Sequence, residues 1–387
     1  SLAVGPAWQL ESRVGPLIHP PDPLLASALF ELEPRESWAL RPRRCEDNPQ
    51  LISPAIKWDV QPGSVTHMTE FFGPVLGVMR AENLEHAIEL VNATGYGLTS
   101  GLESLDDREQ HYWEQNVRAG NLYINRPTTG AIVLRQPFGG MGKSAFGPGI
   151  KAGGPNYVAQ LLDIEDRADS KEPQQLEFGS LADLVNFFAK LVDEKILSAE
   201  QQAQLQQIAA SYEQAHQKEF SRCHDHFRLI GQDNIRRYLP AEQLVIRLHR
   251  DDSSVDILAR LTAAKVSGAD FLLSYPETFS SPLIDRLAES DQTPLSGLEL
   301  IAQSDAALAG QIEAGTISRL RYSSKSHVPD SVRSAAAANA IPIIDRPVLA
   351  AGRIELLWYH IEQSLSFDYH RYGNLGNRSD EQRSEPL

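Results

Sequence analysis

Glu70-Phe71-Phe72-Gly73-Pro74-Val75-Leu76, then Gly120-Asn121-Leu122-Tyr123-Ile124-Asn125-Arg126 running on to Gln136-Pro137-Phe138-Gly139-Gly140, is the stretch that decides the fold class of this chain. Between the first two motifs, Asn83 is a fitting N-cap. Leu84, Ala87, Ile88 and Val91 fall at the i, i+3, i+4, i+7 spacing of one buried helix face before Gly95 stops the run. Ahead of that helix, the turn-rich stretch 48–54 leads to a strand over 55–60 closed by Pro62-Gly63, and a second strand over 75–79 follows the Gly73-Pro74 turn. Behind it, 122–125 reads as a buried strand feeding a Thr-Thr-Gly loop. Helix, strand and loop in this order predict an α/β layer.

Working outward, 166–175 is charged and poor in apolar residues, as a linker or exposed hairpin would be. The pattern over 181–216 is helical: Leu184, Phe187, Phe188, Leu191 and Val192 form one apolar face, and a Gln-rich helix follows Ser198. The chain then returns to α/β. Strands over 244–248 and 271–274 flank a helix over 254–266, and strands over 319–323 and 341–344 flank a helix over 331–338. This succession favours a parallel sheet with right-handed crossovers. No G-x-G-x-x-G follows these strands, so a Rossmann-type layout there need not bind a dinucleotide.

With 387 residues, 42% hydrophobic and 22% charged, the composition suits a soluble globular protein of two or three domains. The net charge of -15, without a concentrated basic stripe, disfavours nucleic acid as a partner. No apolar run approaches the ~20 residues that span a bilayer, and no secretory signal is visible. Two cysteines, Cys45 and Cys223, are too few for a disulfide framework, which makes the cytoplasm the expected location. The first residue is Ser1 and the first methionine Met68, so the chain is expected to be a fragment or an engineered piece.

The quoted motifs resemble the later half of an aldehyde dehydrogenase catalytic domain. Their extension through Gly147-Pro148-Gly149 and Gly153-Gly154-Pro155-Asn156-Tyr157 resembles the glutamate-semialdehyde (pyrroline-5-carboxylate) dehydrogenases. The far end, Gly352-Arg353-Ile354-Glu355-Leu356-Leu357, Glu362-Gln363-Ser364 and Asp368-Tyr369-His370-Arg371-Tyr372-Gly373-Asn374, looks like the carboxyl end of long proline utilisation A proteins. Val14-Gly15-Pro16-Leu17-Ile18 resembles a segment downstream of that family's dinucleotide-binding motif. The resemblance implies an α/β fold: a partial catalytic domain over 1–165, a helical connecting region over 166–227, and a noncatalytic, Rossmann-like, aldehyde-dehydrogenase-like domain with its tail over 228–387. It implies an enzyme that oxidises L-glutamate γ-semialdehyde to L-glutamate with NAD. FAD would belong to a proline dehydrogenase part upstream. The implied partners are the small-molecule substrate, the missing N-terminal part of the same polypeptide, and further copies in a homo-oligomer. A noncatalytic scaffold or channel-closing module, and a piece of a stand-alone semialdehyde dehydrogenase, are the alternatives.

That reaction requires a thiolate nucleophile, an oxyanion site, hydride transfer and a base for thioester hydrolysis. By the resemblance, Glu70 would bind the nicotinamide-ribose hydroxyls, a role an ionised carboxylate suits, and Phe72 would pack beside them. Gly130 and Ala131 would hold the substrate's α-carboxylate through consecutive backbone N–H groups, an anion-binding concavity that Gly makes accessible. Phe138 would pack on the methylene chain. Gly139, Gly140 and Gly142 are expected to serve tight backbone packing. No catalytic residue is found. Cys45 lies only about 25 residues before Glu70, where the family's cysteine lies about a hundred, and no His or Glu is placed with it at a recognisable spacing. The chain alone is therefore expected to be inactive. Cys223-His224-Asp225-His226 lacks a second ligand pair, so no metal site is expected. His370 and its neighbouring tyrosines are read as structural, with a helix from Arg353 to about Gln363 and an extended 364–372 docked by its aromatics. In the family, this tail helps seal the route of the intermediate.

Overall fold

The computed structural model describes residues 3–45, 48–166, 177–289, 294–295, 298–370 and 372–383. They form two compact units, Ser1–Gly95 with Asp106–Arg118, and Tyr96–Leu105 with Ala119–Leu387. Most of the expected linker over 166–175 lies outside the described residues.

In the first unit, helix α1 (Pro23–Phe30) starts on Asp22, whose side chain accepts the Leu25 N–H, with Pro23 opening the helix. Strands β1 (Ser37–Leu40), β4 (Ala55–Trp58) and β5 (Val75–Gly77) make a three-stranded sheet in the order β1-β4-β5. Between β1 and β4 the expected turn-rich stretch instead contributes β3 (Asn48–Ile52), paired antiparallel with β2 (Arg44–Cys45). Ile52 and Ala55 join Leu29 in a small core. Helix α2 is the single turn Val65–Met68. Helix α3 (Leu84–Ala93) begins at Asn83 as expected, with the Asn83 carboxamide accepting the His86 N–H at 2.8 Å. Of its apolar face only Ile88 is buried; Val91 is exposed. Helix α4 (Asp107–Asn116) packs on α3, and the Asn92 side chain ties to the Asn116 carbonyl.

The second unit contains two larger sheets. Strands β6 (Tyr96–Gly97) and β9 (Met141–Gly142) form a small antiparallel pair. Strands β7 (Thr99–Leu102) and β8 (Asn121–Ile124) run parallel, and β8 is buried throughout. On the other edge of β8 lies β16 (His360–Asp368), itself paired antiparallel with β10 (Gln232–Pro240), giving the order β10-β16-β8-β7. Residues from both ends of the sequence thus share one sheet. The second sheet is entirely parallel, in the order β13 (Glu299–Ala302), β12 (Phe271–Tyr275), β11 (Leu244–Arg247), β14 (Arg319–Arg321), β15 (Ile343–Ile344). It is covered on both faces, as a parallel sheet requires. Leu244, Ile246 and Leu273 pack with helices α5 (Ala182–Asp193), α6 (Ala199–Ala215), α7 (Ser254–Ser267) and α8 (Pro282–Ala288). Val245 and Leu320 pack with α9 (Asp305–Glu313) and α10 (Asp330–Ala338). Alternate strand residues supply the two layers, the period-2 signature of the strand.

Ser198 and Ser253 open α6 and α7 with reciprocal capping boxes to Gln201 and Asp256. The expected helix from Arg353 to Gln363 is corrected. Helix α11 spans only Gly352–Glu355, a 3-10 turn covers Leu356–Tyr359, and His360 onward is strand. The change of state follows from pairing: backbone groups from His360 onward bond to β10, and from Ser364 onward also to β8. The run Leu356, Leu357, Trp358 and Tyr359 is buried on all sides.

Candidate functional site

Glu70 and Phe72 lie together on the turn between α2 and β5 in the first unit. The Gly73 N–H donates to the Phe71 carbonyl at 2.9 Å and the Pro74 carbonyl accepts the Ala55 N–H at 2.8 Å, which fixes the turn against β4. A Cβ at Gly73 would stand 2.6 Å from a methyl of Leu25, so a side chain there would push the Leu25 side chain of α1 aside. Glu70 is exposed, and Phe72 is 86% exposed, not a core aromatic. Both side chains are open to solvent. They are not otherwise engaged among the described residues.

Gly130, Ala131 and Phe138 belong to the second unit. Strand β8 ends at Asn125, whose backbone takes the left-handed conformation (φ 59°) and whose side chain clasps Ser104 by both its N–H and its carbonyl. The chain then enters an exposed loop over 127–134. Gly130 has φ 82°, with open space where a Cβ would stand. Among the described residues, neither the Gly130 N–H nor the Ala131 N–H donates to a protein acceptor. The next N–H, of Ile132, donates to the Gln136 side-chain oxygen at 3.0 Å. Gln136 is buried, and its amide NH2 donates to Asn234 Oδ1 and, at 3.2 Å, to Ser366 Oγ. The loop is therefore anchored immediately behind two unengaged donors, through one glutamine, to β10 and β16.

Phe138 sits in a clamp. Its own N–H and carbonyl pair with Ala152 at 2.9 and 3.0 Å. The preceding Pro137 carbonyl accepts from Asn121 Nδ2 at 3.0 Å and Ser364 Oγ at 2.6 Å. The following Gly139 N–H donates to Asn121 Oδ1 at 3.1 Å, and the Gly139 carbonyl accepts from Lys151 Nζ. A Cβ on Gly120 would lie 2.0 Å from that carbonyl, which is why the strand must start with glycine. Held at both peptide flanks, the Phe138 ring is left 36% exposed. Lys151 itself is fully buried, and burial pushes its ammonium down to about 7, against the opposing pull of Glu362. Glu362 accepts the Lys151 N–H at 2.9 Å and the Asn156 amide at 2.5 Å.

Cys45 lies in the short β2–β3 pair and Cys223 is exposed; both are free thiols. In Cys223-His224-Asp225-His226, two of the side chains, those of His224 and Asp225, have structural hydrogen-bond partners, while the buried Nε2 of His226 has none among the described residues. His224 Nε2 meets the Glu219 carbonyl at 2.9 Å, and Asp225 accepts the backbone N–H groups of Phe227, Arg228 and Asn234. In the tail, Tyr369 docks as expected, with Arg378 3.8 Å above its ring, and the His370 N–H bonds to the Gly231 carbonyl. Tyr372 is fully exposed and docks nothing, which corrects the expectation for that residue. Sequence reading missed Gln136, Asn234, Ser364, Ser366, Lys151 and Glu362, all buried polar groups that only the pairing of distant strands brings to the loop.

Residues 1–166 match the aldehyde dehydrogenase family. The chain is 50% identical over 95 residues to "Bifunctional protein PutA" of Rhizobium meliloti, covering 24% of this chain and 8% of that one. It is 35% identical over 172 residues to the 1-pyrroline-5-carboxylate dehydrogenase of Bacillus subtilis (strain 168), covering 44% and 33% respectively. The solved structure of Proline Utilization A (PutA) from Corynebacterium freiburgense superposes with a TM-score of 0.71 at 36% identity, over 94% of this chain and 32% of that one. The chain thus spans a third or less of these relatives. The α/β fold of nearly the whole chain is that of the last relative.

Proposed function

We propose that this chain is part of an NAD-dependent dehydrogenase that oxidises L-glutamate γ-semialdehyde to L-glutamate in proline catabolism. In this reading, 1–165 is the later part of the catalytic domain, 166–227 connects, and 228–387 is a noncatalytic module. The observation that carries the reading is the loop over 127–134. Two adjacent N–H groups, at Gly130 and Ala131, stand unengaged on an exposed turn, and the anchored Phe138 follows them. Adjacent N–H donors suit one carboxylate, and a half-exposed aromatic suits the short methylene chain that links it to the aldehyde.

Glu70 and Phe72 would hold the nicotinamide ribose of NAD, which supplies the hydride acceptor when bound. This chain's own residues bind and orient. Gly130 and Ala131 fix one end of the substrate, Phe138 excludes water from its middle, and Glu70 sets the ribose by accepting hydrogen bonds from its hydroxyls. Among the described residues neither cysteine is hydrogen-bonded to a base, and the chain by itself should produce no NADH from the aldehyde. FAD, if the whole protein uses it, belongs to a proline dehydrogenase part elsewhere in the polypeptide. A cytoplasmic homo-oligomer with a channelled intermediate completes the proposal.

The test is Ala131→Pro in an enzyme that contains this chain together with its upstream part. Proline removes one donor. Catalytic efficiency should fall at least tenfold with glutamate semialdehyde and little with an aliphatic aldehyde lacking the carboxylate, roughly the 1–3 kcal/mol of one lost charge-assisted bond. Equal losses on both aldehydes, with an unchanged melting temperature, would place the carboxylate elsewhere.

A further inference from the structure

The five-stranded parallel sheet changes its direction of winding between β11 and β14, which pair side by side though α7, β12, α8, β13 and α9 separate them in sequence. In open α/β sheets the crevice beyond the carboxyl ends of the strands at such a point is where ligands sit. The loops that leave β11 and β14 bring three side chains together. His249 and Asp251 follow β11, His327 follows β14, and their ligand atoms all lie within 4.8 Å of one another. We propose that His249, Asp251 and His327 form a binding site for a divalent transition-metal ion with zinc-like preferences, in a region to which the dehydrogenase reading gives no chemistry.

Two imidazoles and one carboxylate are the donor set that borderline ions such as Zn²⁺ take with one coordination position left open, whereas Ca²⁺ and Mg²⁺ want oxygens throughout. His327 has the supporting shell such a ligand needs. Its Nδ1 lies 2.9 Å from Ser323 Oγ and 3.3 Å from the Asp252 carboxylate. Asp252 is completely buried and paired with the equally buried Arg260. A carboxylate held in that way orients the imidazole and keeps the proton on Nδ1, which leaves the Nε2 lone pair for an ion. His249 Nδ1 accepts the Asp251 N–H at 3.2 Å and lies 3.4 Å from the Asp251 carboxylate. The Asp251 side chain is 70% exposed and can swing.

The two imidazole rings stack with centroids 4.0 Å apart and planes 16° from parallel. Lone pairs in parallel planes do not converge, so an ion would be taken up by turning one ring out of the stack, a single side-chain rotation. A phosphate-bearing ligand is a poorer occupant. The amino end of α7, which would face it, is already capped by Ser253 and Asp256 and preceded by Asp251 and Asp252.

The test is titration of the chelator-treated chain with Co²⁺ and Zn²⁺, following the visible absorption of Co²⁺ and its displacement by Zn²⁺. One equivalent should bind, with affinity reduced at least tenfold in His249→Ala and in His327→Ala and unchanged in Cys223→Ser. Because His327 touches buried Asp252, its substitution is read beside the melting temperature. The unsubstituted protein gives the same answer by NMR, where Zn²⁺ should shift the ring resonances of His249 and His327. The absence of saturable binding, His249→Ala binding like the parent, or unmoved ring resonances would each overturn the proposal.

Discussion

In the five-stranded sheet, Leu244, Ile246 and Leu273 face one layer of helices while Val245 and Leu320 face the other. In the four-stranded sheet, the buried positions of β10 and β16 include Asn234, Arg236, His360, Glu362, Gln363, Ser364 and Ser366. The first sheet is stabilised mainly by area removed from water, which is tolerant of shape, although its strands also bury Arg247, Ser274, Arg319 and Arg321, each with hydrogen-bond partners. The second holds only while its hydrogen bonds are complete, because each buried polar group left unpaired costs about 1–3 kcal/mol. The requirement makes it exacting, and the candidate substrate loop and Phe138 hang from it.

Swaps of similar size separate the two sheets most strongly. Glu362→Leu strands the Lys151 N–H and the Asn156 amide and should cost roughly 3–5 kcal/mol in denaturant unfolding, whereas Leu258→Met, in the helix layer, should cost under about 1.5 kcal/mol. Equal losses would erase the distinction. Gly120→Ala forces a methyl against the Gly139 carbonyl and should cost about 3 kcal/mol, read as a fall in melting temperature.

A smaller effect is expected from pH. Lys151 titrates at about 7 in the folded chain and at its ordinary 10.5 unfolded, so between these values the unfolded chain binds the extra proton. Stability should therefore rise with pH through that window by up to about 1.4 kcal/mol per unit, and should be lost as pH falls toward 7. Lys151→Met should flatten this rise, and a variant that keeps the parent slope would assign it to other groups. Buried His360, pushed down to about 4, acts in the same direction between there and 6.5. The smallest change is Gly310→Ala in α9, where nothing stands within 4 Å of the new methyl; the protein should gain about 0.5–1 kcal/mol. A loss there would contradict the tolerance assigned to this layer.

The same contrast explains what was legible in the sequence. Strands at 244 and 271 and the helix between them announce themselves by apolar runs and a capping serine, and their observed ends differ from expectation by a residue or so. Strand β16 did not, since His-Ile-Glu-Gln-Ser-Leu-Ser carries no hydrophobic alternation, and Gly352–Glu355 invited extension of the helix across it. Strand β10 was missed for the same reason, with Asn234 and Arg236 buried on the face where apolar residues are expected. At the site, the motif residues Glu70, Gly130, Ala131 and Phe138 were legible as a pattern. Gln136 was visible only as part of a motif, because its partners Asn234 and Ser366 lie 98 and 230 residues away. His249 and His327 are likewise too far apart in sequence to read as a pair, so the absence of a metal set was the expectation.

The claim that the rear strands hold the candidate substrate loop through Gln136 is tested most directly by amide hydrogen exchange of the chain as it stands. Ile132 should be protected and Gly130 and Ala131 unprotected, and Asn234→Ala combined with Ser366→Ala should abolish the Ile132 protection while leaving amides of β11 unchanged. Protected amides at Gly130 and Ala131, or Ile132 protection that survives the double substitution, would contradict it.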